Sequence, residues 1–119
     1  MLFKVIVAGS RDFTDYQLLE QKLNYYFSKR NVQDILIISG MARGADKLAV
    51  KYAMKNGVDH HPMPALWKMF GKRAGYLRND HMLELADAVV AFWDGISKGT
   101  KHMIDSALEK GIPVRVVKI

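Results

Sequence analysis

Three short turns in this sequence combine glycine with a hydroxyl group and a basic side chain. They read Gly-Ser-Arg at 9–11, Ser-Gly-Met-Ala-Arg-Gly at 39–44 and Asp-Gly-Ile-Ser-Lys-Gly-Thr at 94–100. Glycine lets a backbone approach a ligand closely, and arginine offers a planar cationic fork. The turns therefore favour binding of an oxyanion such as a phosphate, while the simpler interpretation of each is a tight bend beside a solvated charge.

Each of these turns follows an apolar run that is typical of a buried parallel strand. Segments with apolar residues at helical spacing lie between the runs. This alternation predicts an α/β fold of three layers, Rossmann-like, with a mainly parallel five-stranded sheet in the order 3-2-1-4-5. We predict the strands at 3–8, 34–39, 58–63, 88–93 and 113–119, and a capping box between Thr14 and Gln17 at the start of the first helix.

The carboxyl ends of the strands are where such a sheet binds ligands, most often in the crevice where the winding direction reverses. With the predicted order, that crevice lies between the first and fourth strands. All three turns follow carboxyl ends, and two of them open helices near Gly44 and Thr100. Free N–H groups at a helix start suit a phosphate, so we expect the turns to form one anion site.

Composition limits the function classes. A chain of 119 residues predicts a single domain over 1–119, and the absence of cysteine excludes disulfides and thiolate metal sites. The formal net charge of +6 favours anionic partners. The first apolar run is too short for a signal peptide or a membrane span, so we expect a soluble cytoplasmic protein without membrane contact. A homo-oligomer, by default a dimer, is expected from the frequency of symmetric dimers.

Standard cofactor and catalytic motifs are missing. No G-x-x-x-x-G-K-[ST] and no G-x-G-x-x-G follows a strand, which argues against a P-loop NTPase and a standard dinucleotide-dependent dehydrogenase. His60 and His61 are adjacent, so a strand would point them to opposite faces. We therefore expect neither a metal nor a cofactor.

Five sequence segments together resemble a known family. They are VIVAGSRDF, SGMARGAD, the isolated residue Trp67, GKRAGYLRNDHM and AFWDGISKGTKHMI, in this order. In order and spacing they are similar to the YspA-like, cpYpsA-related branch of the SLOG superfamily. The resemblance implies a Rossmann-like fold with a pocket for a nucleotide or a nucleotide derivative. That superfamily also includes LONELY GUY phosphoribohydrolases and DNA-processing protein A, so hydrolase, sensor and nucleic-acid binder all stay open.

The resemblance also carries over to individual positions. The stretch around Arg78 and Asn79 is similar to the place of a functional arginine in the phosphoribohydrolases, and 95–100 is similar to their second phosphate loop. Their catalytic glutamate, three residues after the threonine of that loop, corresponds here to Met103. Methionine has no acid or base function, so Asp94 and Asp46 are left as the catalytic candidates. Met41 replaces the second glycine that is usual in this family's SGGARGAD turn.

We therefore predict a protein that senses or sequesters a nucleotide or an ADP-ribose-like ligand. A phosphoribohydrolase-like nucleotide hydrolase and a single-stranded nucleic-acid binder are the alternatives. Asp46 either caps its helix, neutralises Arg43 or contacts the ligand, and Trp67 either stacks on a base or anchors a lid. The predicted ligand-binding residues are Gly9, Ser10, Arg11, Ser39, Gly40, Arg43, Gly44, Asp46, Trp67, Arg78, Asn79, Asp94, Gly95, Ser97, Gly99 and Thr100.

Overall fold

Five parallel strands form one sheet in a computed structural model that describes residues 1–119. The strand order is β3-β2-β1-β4-β5, and every neighbouring pair is parallel. The predicted fold class and strand order are thus confirmed. The strands are β1 (Phe3–Gly9), β2 (Ile35–Ser39), β3 (Asp59–Pro62), β4 (Ala88–Trp93) and β5 (Val114–Lys118).

Helices cover both faces of the sheet because each parallel connection has to cross it. Single 3-10 turns at Val32–Asp34 and Gly71–Arg73 complete the connections. No helix is long and apolar enough to cross a membrane. The helices are α1 (Tyr16–Tyr26), α2 (Ala45–Asn56), α3 (Trp67–Phe70), α4 (Ala74–Leu85) and α5 (Lys98–Glu109).

The central strand β1 separates two hydrophobic cores. Successive strand side chains point to opposite faces, so Val5 and Val7 belong to the core under α1 and α2. Ile6 and Ala8 belong to the core under α4 and α5. Because β1 is buried on both faces, its carboxyl end is fixed between β2 and β4, where the first glycine-containing turn begins.

Helix α1 begins differently from the prediction. Asp15 is its N-cap, and the Asp15 carboxylate accepts a hydrogen bond from the Leu18 backbone N–H at 3.1 Å. The predicted capping box of Thr14 and Gln17 is therefore wrong by one residue. Asp and Thr are both good N-caps, so two adjacent candidates leave the choice to the path of the chain from β1.

Candidate functional site

The three turns meet at the carboxyl edge of the sheet around a cavity of about 430 Å³. The cavity opens between β1 and β4, at the reversal of the strand order, and α4 and α5 supply its far wall. Its floor includes Met82 and Met103, both buried. The predicted residues that line it are Gly9, Arg11, Arg43, Asp46, Trp67, Arg78, Asn79, Ser97, Gly99 and Thr100.

The other predicted residues lie behind this surface or beside it. Ser39 is fully buried, where its hydroxyl donates to the Asp46 carbonyl at 3.0 Å and accepts from the Met41 N–H at 3.2 Å. This bonding gives Ser39 a structural role. Gly40 lines a neighbouring cavity, whereas Ser10, Ser39, Gly44, Asp94 and Gly95 line neither of the two.

Ser10 and Asp94 hold the first and third turns together. The buried Ser10 hydroxyl accepts from the Asp94 N–H at 3.2 Å and from the Ser97 hydroxyl at 3.1 Å. The Asp94 carboxylate accepts the N–H groups of Ser97 and Ile96, both at 2.8 Å, and these bonds lower the pKa of Asp94 to about 2. Asp94 is thus an ionised residue that shapes the turn before α5.

Two helices, α2 and α5, start at this edge of the sheet. The first helical bond of α5 runs from Lys101 N–H to the Ser97 carbonyl at 3.1 Å, so the preceding N–H groups of Gly99 and Thr100 have no intrahelical acceptor. At α2, Ala45 N–H donates to the Ser10 carbonyl at 3.3 Å, and the Asp46 carboxylate occupies the same end. The N–H groups of Asp46 and Lys47 likewise have no intrahelical acceptor, so the two helix starts differ in that α2 carries a carboxylate in its first turn. The start of α5 is therefore the more favourable of the two for an anion.

The central charges of the site are Asp46 and Arg78. Burial raises the pKa of Asp46 to about 6, although Arg78 and the Ala42 N–H, which donates at 3.2 Å, oppose this rise. Burial also lowers the pKa of Arg78, and the Asp46 carboxylate counteracts that effect. The two side chains thus compensate each other's desolvation at the base of the cavity.

The Arg78 guanidinium is fixed by two hydrogen bonds. Its Nη1 donates to the Gly40 carbonyl at 2.6 Å, and its Nε donates to the Asn79 side-chain oxygen at 3.0 Å. A Cβ on Gly40 would collide with this guanidinium. A larger residue at position 40 would therefore displace the Arg78 guanidinium from its present place.

Asn79 ties α4 to the start of α5. Its buried amide nitrogen lies 3.2 Å from the Gly99 carbonyl and 3.2 Å from His102 Nδ1. An amide nitrogen only donates, so His102 Nδ1 accepts and the ring proton lies on Nε2, towards the Ser106 hydroxyl. Asn79 thereby positions both Arg78 and the α5 turn.

Arg43 and Trp67 lie at the mouth of the cavity. Arg43 pairs with Asp12 at 3.3 Å, not with Asp46, and both partners are so exposed that the pair contributes little stability. Trp67 begins the short helix α3 and is 49% exposed. The Arg11 guanidinium lies 5.9 Å from the centroid of the Trp67 ring, so one face of the indole has a cationic neighbour.

Sequence reasoning missed several residues that line the cavity. Lys72 and Lys98 line the cavity and lie beside glycine in basic segments. The same pattern, a basic residue next to glycine, identified the arginines and could have identified these lysines. Tyr76 had no such signal, since its place depends on stacking against His102 at a ring distance of 4.2 Å. No group of three or more His, Asp or Glu side chains is arranged to hold a metal ion.

The sheet order and the edge cavity define a Rossmann-like α/β domain, a fold found among proteins that bind nucleotides or nucleic acids. Residues 3–70 match the pattern of the YspA, cpYpsA-related SLOG family, and the chain belongs to that family. The Gene 61 protein of Mycobacterium phage D29 is 35% identical over 93% of both chains.

Two solved structures have the same fold at low sequence identity. DNA processing protein A from Streptococcus pneumoniae superposes with a TM-score of 0.79 at 20% identity over 97% of this chain, which spans only 50% of that protein. DNA processing protein A from Helicobacter pylori, described for its single-stranded DNA binding mode, superposes with a TM-score of 0.68 at 21% identity over 96% of this chain and 64% of its own.

Proposed function

We propose that this protein binds a nucleotide or a nucleotide derivative such as ADP-ribose in the cavity of about 430 Å³, and that it senses or sequesters this ligand. The observation that carries the proposal is the convergence of Arg11, Arg43 and Arg78 with the open start of α5 around one cavity. Guanidinium forks and helix N–H groups are complementary to phosphate oxygens.

The rest of the cavity suits the remainder of a nucleotide. The half-exposed indole of Trp67 offers a flat surface on which a base can stack at the mouth. Below it, the buried methionines at 82 and 103 give the floor an apolar character. Apolar walls with a few fixed polar groups are typical of small-molecule sites, and the cavity volume lies in their usual range.

Binding is favoured over hydrolysis because a suitable acid or base is scarce. Met103 is buried in the floor, at the position that corresponds to the glutamate of the phosphoribohydrolases. Asp94 lines no cavity and is held by its own turn. Only Asp46 combines a place in the cavity with a pKa of about 6, so a hydrolase of this architecture would depend on Asp46.

Calorimetric titration with AMP, ADP and ADP-ribose tests the binding proposal. We expect Arg78→Ala to weaken binding by about tenfold to hundredfold, since hydrogen bonds to charged groups contribute roughly 1.5–3 kcal/mol. Arg115→Ala is the matched control, because Arg115 is exposed on β5 and lines neither cavity. Failure of all three ligands to bind, or equal affinities of the two variants, would contradict the proposal.

The same samples test the hydrolase alternative. Incubation with nucleoside monophosphates, followed by chromatography of the free base, should give no turnover. Release of base by the wild type that is lost in Asp46→Asn would instead favour the enzyme.

Single-stranded nucleic acid is a second candidate ligand, supported by an exposed strip of aromatic and basic residues. Trp67, Phe70 and Tyr76 are 49%, 38% and 45% exposed, and Lys68, Lys72 and Arg73 lie among them. Stacking surfaces with cations are typical of single-strand binding, and the Helicobacter pylori relative of this fold is described with single-stranded DNA. The test is the salt dependence of oligonucleotide affinity. A plot of log affinity against log salt concentration whose steep slope corresponds to several phosphate contacts would favour this candidate.

A further inference from the structure

A second cavity of about 370 Å³ lies beside the first and shares part of its wall. The two have Arg11, Arg43, Arg78, Trp67 and Ala42 in common. The second cavity adds small or apolar residues and no acidic side chain, whereas Asp12 and Asp46 line the first. The residues that belong to the second cavity alone are Gly40, Met41, Pro64 and Ala65.

The shared arginines mark the junction of the two cavities. Arg78 is anchored on both sides of it, through the Gly40 carbonyl of the second cavity and the Asn79 side chain of the first. Its Nη2 makes no hydrogen bond within the protein, and Arg11 makes none through its side chain. Unused guanidinium donors are therefore concentrated where the cavities meet.

A mononucleotide would fill one cavity and leave the other, of comparable volume, empty. We infer that the ligand has two organic groups, one in each cavity, joined by a pyrophosphate that lies against the three shared guanidiniums. A pyrophosphate diester has four non-bridging oxygens, against two in a phosphodiester, so it can accept from the free Arg11 guanidinium and from Arg78 Nη2 together. The ligand class is then a dinucleotide or a nucleoside diphosphate sugar, an inference that rests on the proposed function of the first cavity.

Ala65→Trp tests the second cavity, because the larger side chain would fill it from the wall. Leu66→Trp is the matched control, since Leu66 is exposed and lines neither cavity. The probes are ADP, ADP-ribose and diadenosine pyrophosphate, titrated by calorimetry. In the wild type we expect the last two to bind at least about tenfold more tightly than ADP. Ala65→Trp should remove this advantage and leave the ADP affinity within about twofold of the wild type.

The outcomes separate this inference from the proposed function. Equal affinities of the wild type for the three probes would overturn the second subsite and leave nucleotide binding intact. So would an Ala65→Trp variant that loses as much affinity for ADP as for the two larger probes. Tighter binding of the phosphodiester dinucleotide ApA than of ADP-ribose would also overturn it. If no probe binds, the proposed function and this inference both fail. Pro64→Trp, at an exposed residue of the same wall, serves where Ala65→Trp does not fold.

Discussion

Asp46 is the residue where stability and the proposed function conflict. Its side chain is buried at the base of the cavity, and the pKa of about 6 means that ionisation near neutral pH costs free energy. A well-packed apolar residue would cost less. What Asp46 provides is a carboxylate that accepts the Ala42 N–H and counters the charge of Arg78. Carboxyl groups whose pKa is shifted by burial in this way are common at binding sites.

The pH dependence of stability follows from that pKa. The unfolded carboxyl titrates near 3.8 and the native one near 6, so between these values only the native state holds the proton. The free energy of unfolding should fall as pH rises from about 4 to 6, by roughly 3 kcal/mol in total. Asp46→Asn should therefore be more stable than the wild type at pH 7 and equal to it at pH 4, as measured by urea unfolding.

Asp12→Asn is the control for Asp46→Asn, because Asp12 lines the same cavity but is almost fully exposed. At pH 7 its free energy of unfolding should stay within about 0.5 kcal/mol of the wild type, as is usual for an exposed substitution. A stability difference between Asp46→Asn and the wild type that stays constant from pH 4 to pH 7 would contradict the argument.

Met41 is a second residue under strain. It has a φ of +62°, the left-handed conformation that favours glycine. Met41→Gly should relieve roughly 1–2 kcal/mol of strain and lose about half of that to the greater freedom of the unfolded chain. We expect a net gain of up to about 1 kcal/mol in the free energy of unfolding. Met41→Ala, which keeps the strain, is the comparison, and a glycine variant less stable than the alanine variant would refute this account.

At the scale of elements, the start of α2 depends on close backbone contact with the β1 turn. Gly44 has a φ of +82°, and a Cβ there would lie 2.6 Å from the Arg11 carbonyl oxygen and would also collide with that of Ser10. Gly44→Ala should therefore lower the free energy of unfolding by at least about 2 kcal/mol, because backbone cannot move aside as a side chain can.

Gly99→Ala, at the start of α5, is the comparison for Gly44→Ala at the start of α2. Gly99 lies in the first turn of α5, and a Cβ there meets no atom within 4 Å. This variant should be as stable as the wild type or up to about 1 kcal/mol more stable, owing to the higher helix propensity of alanine. Urea unfolding of the two variants checks the contrast, and similar losses in both would mean that the α2 contact is not specific.

At the scale of the whole molecule, the net positive charge and the edge cavity should both favour the binding of an anionic ligand. A ligand that binds only the native state raises stability by mass action, by about 2.7 kcal/mol at one hundred times its dissociation constant. ADP should therefore raise the unfolding temperature of the wild type in a concentration-dependent way, but raise that of Arg78→Ala far less. Potassium chloride at the same ionic strength is the control, since an equal effect of chloride would indicate general screening of the +6 charge.

The sequence by itself determined the fold, the sheet order and the edge at which the three turns meet. Those features follow from local patterns: short runs rich in Val and Ile, such as 3–8, are typical of buried strands, and parallel strands bring their carboxyl ends to one edge. The motif segments also sufficed to identify the family. Conversely, the misplaced cap of α1 shows that neighbouring good caps cannot be ranked by type alone.

Only the tertiary structure decided how the individual side chains are used. Ser39, Asp94 and Ser97 all stand in the polar, glycine-containing turns, yet of these three only Ser97 lines the cavity. Arg43 pairs with Asp12, whereas Arg78 crosses from α4 to the Gly40 carbonyl. These contacts join residues 31 and 38 positions apart, and no local pattern encodes such distances. Whether a polar side chain faces a cavity depends on the packing of distant elements, which is why tertiary structure was needed to define the site.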